Sequence, residues 1–317
     1  MQRIVGYALI GIGAFFLVLA PVSRFIVYPG VAKAPIDVYS QGTSYGPDAT
    51  VLSIANLVAG EDPEVQTDIE STRTTRGDVE ASTGDLAVYD SFVNTADADG
   101  ETLSASVERV GFDRFTGEAD PDFESTVDTG DGPEPVAYQG QVFKMPFDAQ
   151  QTEYPWWDGS IQQAAPMVFE DVEDIDGLRT YKYVQTIEPT KVDEIDVPGD
   201  VVRSDEDTET VDRIYSNVTT IWVEPNTGAV IKGQQQQDSY AEFEGRKVFT
   251  ITKATVVYSD EAIQANVDEY GPLGSQLNLV KNIVPVWGAI LGVVLLVVGG
   301  LLVSASGGSR RRSSASA

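Results

Sequence analysis

The sequence IVGYALIGIGAFFLVLAPV, residues 4–22, and the sequence IVPVWGAILGVVLLVVGGLLV, residues 283–303, together decide the fold class of this chain. Neither stretch contains a charged residue. As α-helices they would be about 28–31 Å long, close to the roughly 30 Å hydrocarbon core of a bilayer. All 49 Asp and Glu residues lie between them, from Asp37 to Glu269. We therefore expect a membrane protein that holds one large acidic domain by both of its ends.

Basic residues beside the two apolar stretches predict which side of the membrane holds the acidic segment. Arg3 precedes the first stretch and three arginines at 310–312 follow the second, whereas the basic residues on the inner sides are fewer and scattered. Because positively charged flanks tend to remain in the cytoplasm, we expect a plasma-membrane protein with both termini inside and the main domain outside. The basic residues on the inner sides are Arg24, Lys33 and Lys281.

The first apolar stretch has a second interpretation, which is a cleavable signal peptide. Val18 and Ala20 would suit a cleavage site, but Pro21 would directly follow the cut. The apolar run is also long for the core of a signal peptide. Both features favour a retained transmembrane helix.

The composition excludes several classes of site. The chain contains no His and no Cys, which excludes a Ser-His-Asp triad, ordinary zinc sites and a disulfide framework. Residues 28–282 contain 16 basic and 49 acidic residues, a net charge of −33, which argues against nucleic-acid binding. This charge is explained either by solubility or by attraction of a cationic partner or divalent ions. We expect no enzymatic activity, no cofactor and no metal site.

The acidic segment shows the pattern of many antiparallel strands. Runs rich in Val, Ile, Thr, Tyr and Phe alternate with period two and are bounded by clusters of Gly, Pro, Asp and Asn. Pro225-Asn226-Thr227-Gly228 lies between two such runs and predicts a hairpin turn. Ser259 is a candidate N-cap for a helical stalk that leads to the second span. The clearest predicted strands are residues 85–92, 103–110, 180–188, 218–224 and 248–258.

These patterns predict a membrane-anchored, mainly β (α+β) extracytoplasmic domain of antiparallel strands between two transmembrane helices. Tyr28-Pro29-Gly30 is expected to break the first helix, and the acidic loops 94–101, 128–135 and 198–210 are expected to be mobile. The predicted order is a cytoplasmic N terminus at 1–3, a transmembrane helix at 4–27, a β-rich domain at 28–258, a helical stalk at 259–282, a transmembrane helix at 283–303 and a disordered basic tail at 304–317.

Two kinds of motif suggest chemistry and are rejected. Gly42-Thr43-Ser44-Tyr45-Gly46 matches the G-x-S-x-G nucleophile elbow, but without His it cannot form a triad, and a flexible turn is the better interpretation. Asp97-Ala98-Asp99-Gly100 and Asp174-Ile175-Asp176-Gly177 resemble the middle of a calcium loop. Both lack the first and last ligands of that loop, so acidic turns are favoured over Ca²⁺ sites.

Two further groups of residues are candidates for contacts. Gly288-x-x-x-Gly292 in the second span would let another membrane helix approach closely, either the first span or a helix of another protein. The alternative is that glycine is simply frequent in membrane helices. Tyr154, Trp156 and Trp157 form an aromatic cluster that is expected to lie in the core. The functional alternative is that these rings line a groove for an acyl chain or a partner.

Several motifs in this order resemble one family, the actinobacterial two-span envelope proteins labelled "porin PorA family", long a domain of unknown function. The resemblance covers residues 3–303. It implies a plasma-membrane protein with an extracytoplasmic β-rich domain and a role in cell-envelope biogenesis, and it carries no catalytic signature. The motifs are Arg3-x-x-Gly6, Ala20-Pro21, Tyr28-Pro29, Tyr154-Pro155-Trp156-Trp157-Asp158, Ala165-Pro166, Asp176-Gly177-Leu178-x-Thr180-Tyr181 and Val223-Glu224-Pro225-x-Thr227-Gly228.

Three functions are compatible with this sequence. The leading hypothesis is a non-enzymatic protein that binds or helps traffic a membrane lipid or glycolipid at the outer face of the plasma membrane. It is motivated by the two-span tether, the aromatic cluster and relatives that the resemblance associates with lipid transporters. The first alternative is a scaffold or accessory subunit of an envelope transporter or wall-synthesis complex, which it would contact through its transmembrane helices. The second alternative is the porin or channel that the family label suggests.

Overall fold

The computed structural model describes residues 1–308, and its main element is a sheet of twelve antiparallel strands. The chain divides into two compact units. One contains Met1–Lys33 and the segment that begins at Pro272, and the other is Ala34–Gly271. The prediction of a mainly β fold with antiparallel strands and a long apolar helix at each end is confirmed.

The first apolar helix continues beyond its predicted end at residue 27. The chain is helical from Gln2 to Val31, and Tyr28-Pro29-Gly30 therefore does not break it. A π-helical turn at Ser23–Val27 precedes this segment, and Pro29 lies in the first turn of the α-helix Tyr28–Val31, where a residue without an N–H is tolerated. The α-helices of the chain are α1 (Gln2–Val22), α2 (Tyr28–Val31), α3 (Ile54–Ala59), α4 (Asp260–Asn278) and α5 (Val284–Gly308).

The second apolar helix is also longer than predicted. Ser259 Oγ accepts a hydrogen bond from the backbone N–H of Ala262 (3.1 Å), which confirms the predicted cap. Gly271-Pro272 does not interrupt α4, and a π-helical turn at Leu279–Ile283 joins α4 to α5. α5 ends at Gly308, so the first part of the segment predicted as a disordered tail is helical. The rest of that tail lies outside the described residues.

The strands that correspond to the predicted runs are all longer than predicted, at one end or at both. The sheet order is β6-β5-β4-β3-β2-β1-β12-β11-β10-β9-β8-β7, so nearly all neighbours in the sheet are also neighbours in sequence. The strands are β1 (Tyr39–Leu52), β2 (Glu64–Gly77), β3 (Leu86–Asp97), β4 (Thr102–Asp113), β5 (Thr126–Asp128), β6 (Glu134–Pro135), β7 (Tyr154–Asp158), β8 (Gln163–Ile175), β9 (Leu178–Pro198), β10 (Thr208–Val223), β11 (Val230–Phe243) and β12 (Arg246–Tyr258).

The predicted turn at residues 225–228 joins β10 to β11. The Glu224 carboxylate accepts hydrogen bonds from the Thr227 N–H (2.7 Å), the Thr227 hydroxyl (2.8 Å) and Asn226 Nδ2 (2.7 Å). Gly228 has φ +73°, a conformation that glycine adopts without steric cost. The turn is thus fixed by local side-chain bonds, as its composition predicts.

Backbone hydrogen bonds close the sheet on itself. At the end of β4, Asp113 N donates to Glu118 O (2.8 Å), and Ala119 N donates to Gly140 O (2.8 Å). Gln141 N then donates to Pro155 O of β7 (2.8 Å). Residues 118–120 and 140–142 therefore connect β4 to β7 and complete a ring of paired segments, which we call the closed sheet. β5 and β6 branch from it at the opposite part of β4.

Parts of the predicted acidic loops lie in strands, and one predicted turn is a strand. The stretch Gly42–Gly46 that matched the nucleophile elbow lies within β1, so Ser44 is not at a strand-to-helix turn and the flexible turn expected there is wrong. Residues 94–97 of the first predicted acidic loop belong to β3. The polar composition of these segments predicts a turn and a loop. Both segments form strands because each pairs with a neighbouring strand on both sides.

Candidate functional site

The two long apolar helices, α1 and α5, pack against each other through glycines. A Cβ atom added to Gly292 would lie 2.8 Å from Gly13 O, and one added to Gly13 would lie 2.8 Å from Gly292 O. Gly299 and Gly6 approach each other in the same way, at 2.7 and 2.9 Å. The glycines of each helix are seven residues apart, which places them on one face. Any larger residue at these positions would push the backbones apart.

The predicted candidates Gly288 and Gly292 have different surroundings. A Cβ atom at Gly288 would be 3.6 Å from Phe16 O and 3.8 Å from Ala20 Cβ, which is ordinary van der Waals contact. Gly292, by contrast, has no room for a side chain. Gly11 and Gly300 would meet nothing within 4 Å. The close approach therefore depends on Gly292 and its partners and not on Gly288.

The outer faces of the two helices are apolar and open. Within the described residues, these are two helices that are long and apolar enough to cross a membrane. In the most apolar 18-residue segment of each helix, only 17% of the residues are buried. A core helix of a soluble protein would be mostly buried. The aliphatic and aromatic side chains that remain exposed include Phe15, Val18, Ile290, Val294 and Leu301.

Polar contacts between the two chain segments occur at the two π-helical turns. Ser23 Oγ donates a hydrogen bond to Val280 O (2.7 Å), and Ser23 is buried. Arg24 Nη1 donates to Lys281 O (3.3 Å). Lys281 Nζ lies 5.3 Å from the centre of the Tyr28 ring. The helix pair is thus held by glycines along its apolar length and by polar groups at one end.

The interior of the closed sheet contains polar contacts between strands that are distant in the sheet. The Tyr215 hydroxyl of β10 donates to Asp158 Oδ2 of β7 (3.1 Å). These strands are three places apart, which is about 14 Å along a flat sheet at the usual spacing. The contact therefore crosses the space that the sheet surrounds. Burial, and then the Asp158 charge, raise the pKa of Tyr215 above its ordinary value.

A second polar group joins β2, β3 and β4. Arg73 Nη1 donates to Ser91 Oγ (3.2 Å) and lies 4.0 Å from Glu108 Oε2. Ser91 is fully buried, whereas half of the Arg73 side chain is exposed. Burial, and then the Glu108 charge, raise the pKa of Tyr138. These residues were not predicted as a group, because only the register of the three strands brings them together.

The aromatic candidates Tyr154, Trp156 and Trp157 take part in packing. Tyr154 and Trp156 pack against a core cluster that includes Met145 and Met167. The Trp157 ring centre is 4.6 Å from that of Tyr138. These contacts match the interpretation of the cluster as core.

The acidic motifs that resembled calcium loops are hairpin turns. Asp97 Oδ1 accepts hydrogen bonds from the N–H groups of Asp99 (3.0 Å) and Glu101 (2.9 Å) between β3 and β4. Asp174 Oδ1 accepts one from the Gly177 N–H (2.7 Å) between β8 and β9. In both turns a carboxylate thus binds the backbone of its own hairpin.

Comparison with known proteins gives a consistent result over nearly the whole chain. The sequence model of the family described as Porin PorA matches residues 5–301. A protein named Porin PorA from Corynebacterium amycolatum is 25% identical over 304 aligned positions, which cover 74% of this chain and 77% of that protein. Another Porin PorA, from Corynebacterium resistens, is 24% identical over 403 aligned positions, which cover 93% of this chain and 95% of that protein.

These comparisons correct the leading functional hypothesis. The expectation of a protein that binds or traffics a lipid or glycolipid is wrong, because the matching family and both relatives carry the name of a porin. Of the aromatic cluster that motivated the hypothesis, Tyr154 and Trp156 are partly buried against a core cluster and Trp157 packs against Tyr138. The comparisons favour the second alternative considered above.

Proposed function

Because this chain belongs to the Porin PorA family, we propose that it is a pore-forming protein of the cell envelope. The observation that carries the proposal is the family match over residues 5–301, which includes both apolar helices and the closed sheet. The cargo would be small and hydrophilic, because a pore offers such solutes an aqueous path that the hydrocarbon core denies them. The absence of His and Cys from the chain supports a role without catalysis.

We further propose that the helix pair inserts into the plasma membrane, with both termini in the cytoplasm and the β-rich domain outside. The length and apolar surface of the two helices support the insertion. Arg3 and the arginines at 310–312 support the orientation. The net charge of −33 in residues 28–282 favours an aqueous location for the domain.

The geometry of the helices supports a pore built from several copies. Within residues 4–22 and 283–303 there is no charged side chain, and the two helices are in direct backbone contact at Gly13 and Gly292. One copy therefore has no room for water between its helices. A path across the membrane would have to lie between the helix pairs of neighbouring copies.

Conductance in planar bilayers tests this proposal, with glycine variants as an internal control. The purified full chain is expected to give reproducible single-channel steps. Gly292→Ala should abolish them, because a Cβ atom there would lie only 2.8 Å from Gly13 O of α1. Gly288→Ala adds the same Cβ to the same helix interface at ordinary van der Waals distance, 3.6 Å from Phe16 O, and should leave the steps unchanged.

Two outcomes would contradict the proposal. Absence of conductance from folded wild-type protein over a range of protein concentrations would exclude pore formation by this chain alone. Equal loss in Gly292→Ala and Gly288→Ala would show that the close helix approach is not what conduction requires. Circular dichroism of each variant establishes that the helices have formed.

A further inference from the structure

A groove lies where the turns after β1 and β9 meet, at the end of the closed sheet opposite to its chain ends. It has a volume of about 270 Å³. Its apolar floor includes Leu57, Val201 and Phe249. We call it the distal groove. Its acidic lining residues are Glu61, Asp62, Glu64 and Asp200, and within residues 1–308 no basic residue lines it.

The short helix α3 beside the distal groove leaves two aliphatic side chains in solvent. Ile54 is 69% exposed and Val58 is 73% exposed. They are four residues apart and so lie on the same face of the helix. Leu57 of the same helix is buried and packs into a core cluster with Val197 and Phe249. Among the large aliphatic side chains of Ala34–Gly271, Ile54 and Val58 are the most exposed.

The backbone that carries Ile54 and Val58 is held at both ends of α3. Ser53 Oγ accepts a hydrogen bond from Asn56 N (3.3 Å) at the start of α3. Gly60 ends the helix in the left-handed conformation, and Asn56 Nδ2 donates to Asp62 O (3.0 Å). α3 thus has a side-chain cap at one end and a glycine cap at the other. Ile54 and Val58 therefore form a small apolar patch on a firmly held helix.

We propose that the distal groove and the exposed face of α3 bind a cationic, partly apolar segment of another protein. Lysine or arginine side chains of that segment would lie against the four carboxylates. Its aliphatic side chains would cover Ile54 and Val58. Charge decides between partners, because a second copy of this domain would bring a net charge of −33 against an acidic rim, and like charges at an interface are unfavourable. This surface is separate from the helices assigned to the pore.

Peptide binding to the full chain in phosphatidylcholine nanodiscs tests the proposal. The probe is a fluorescent dodecapeptide of alternating Lys and Val, and the references are its Glu and Val counterpart and empty nanodiscs. Saturable binding of the Lys peptide, measured by anisotropy, is expected at physiological salt. Glu61→Gln with Asp200→Asn should weaken it at least tenfold, and Ile54→Gln with Val58→Gln should do the same.

Matched variants separate the groove from the general charge of the domain. Glu134→Gln with Glu153→Gln removes two exposed charges elsewhere, and Val79→Gln with Val168→Gln removes two exposed aliphatic side chains elsewhere. Both should change the affinity by less than twofold. Equal weakening by groove and control variants, or binding that does not saturate, would overturn the proposal.

Sedimentation of the same variants tests whether a second copy of the chain, and not another protein, covers this surface. If Ile54→Gln with Val58→Gln dissociates copies of the chain from one another, the surface is a contact between copies and the proposal is wrong. Unchanged association together with lost peptide binding supports it. Thermal melts of all variants show whether each domain remains folded.

Discussion

Lys144 is held in surroundings that disfavour its charge. Its Nζ donates to Met145 O (2.6 Å) and lies 4.0 Å from the centre of the Phe147 ring. Burial lowers its pKa to about 7, and the Asp113 charge offsets only part of that effect. An ammonium group with a pKa of about 10.4 in the unfolded chain therefore loses its proton in the folded protein near neutral pH.

This pKa predicts how stability depends on pH. Between about pH 7 and pH 10 the unfolded chain binds more protons at Lys144 than the folded protein does, so the free energy of unfolding rises with pH. Lys144→Met should remove this rise, so its advantage over wild type should be largest below pH 7, at most about 5 kcal/mol for a pKa lowered from 10.5 to about 7 at roughly 1.4 kcal/mol per unit, and should largely disappear by pH 10. Urea unfolding followed by tryptophan fluorescence measures it. The exposed Lys253→Met is the control, and parallel profiles for wild type and Lys144→Met would contradict the assignment.

Single residues differ in how far the sequence predicts their role. Tyr154 and Trp156 were expected in the core by default, since large aromatic side chains gain most from burial. Spacing alone could not distinguish Gly288 from Gly292, because the difference depends on where the backbone of α1 passes. The contact between Tyr215 and Asp158 was not predictable at all, because it depends on the curvature of a whole sheet.

At the scale of elements, the turn at Gly228 gives a sharp prediction. Gly228 has φ +73°, and an added Cβ would collide with Met145 O. Gly228→Ala should therefore cost about 1–2 kcal/mol for the backbone conformation and about 1–3 kcal/mol more for the collision. Gly177→Ala shares the positive φ, at +85°, but meets nothing within 4 Å, so only the first cost applies. Equal stability of the two variants in urea unfolding would contradict this explanation.

The observed elements also show which sequence signals are sufficient to locate a strand, a hairpin or the end of a helix. Period-two runs located β3, β4, β9, β10 and β12, and Pro225-Asn226-Thr227-Gly228 located a hairpin, because both signals are local. The ends of the apolar helices were misplaced, since Pro29 lies in the first turn of α2, where proline is tolerated, and α4 continues through Pro272. The π-helical turns at Ser23–Val27 and Leu279–Ile283 are set by packing between two segments distant in sequence. The closure of the sheet through residues 118–120 and 140–142 has no local signature.

At the scale of the whole molecule, the absence of cysteine allows a direct test of orientation. Asp205→Cys places a thiol at an exposed position of the β-rich domain, and Gln2→Cys places one before the first apolar helix. A membrane-impermeant maleimide should label position 205 in intact cells and position 2 only after lysis. The expected ratio of labelling for position 205, intact to lysed, is near one. The reverse pattern would invert the topology, and loss of position 2 from the mature chain would indicate a cleaved signal peptide.

The neighbouring placement of the first and last long strands has a mechanical consequence. β1 pairs with β12, with Ser44 opposite Tyr258, and Ser259 N donates to Thr43 O (2.9 Å). Tension applied through the two flanking helices would therefore load the hydrogen bonds between these strands one after another. A strand pair that opens one hydrogen bond at a time, like the seam between β1 and β12, resists force far less than a pair whose hydrogen bonds all bear the load together. A pull on the helices would open the ring at this seam first, while the other strands keep their pairing.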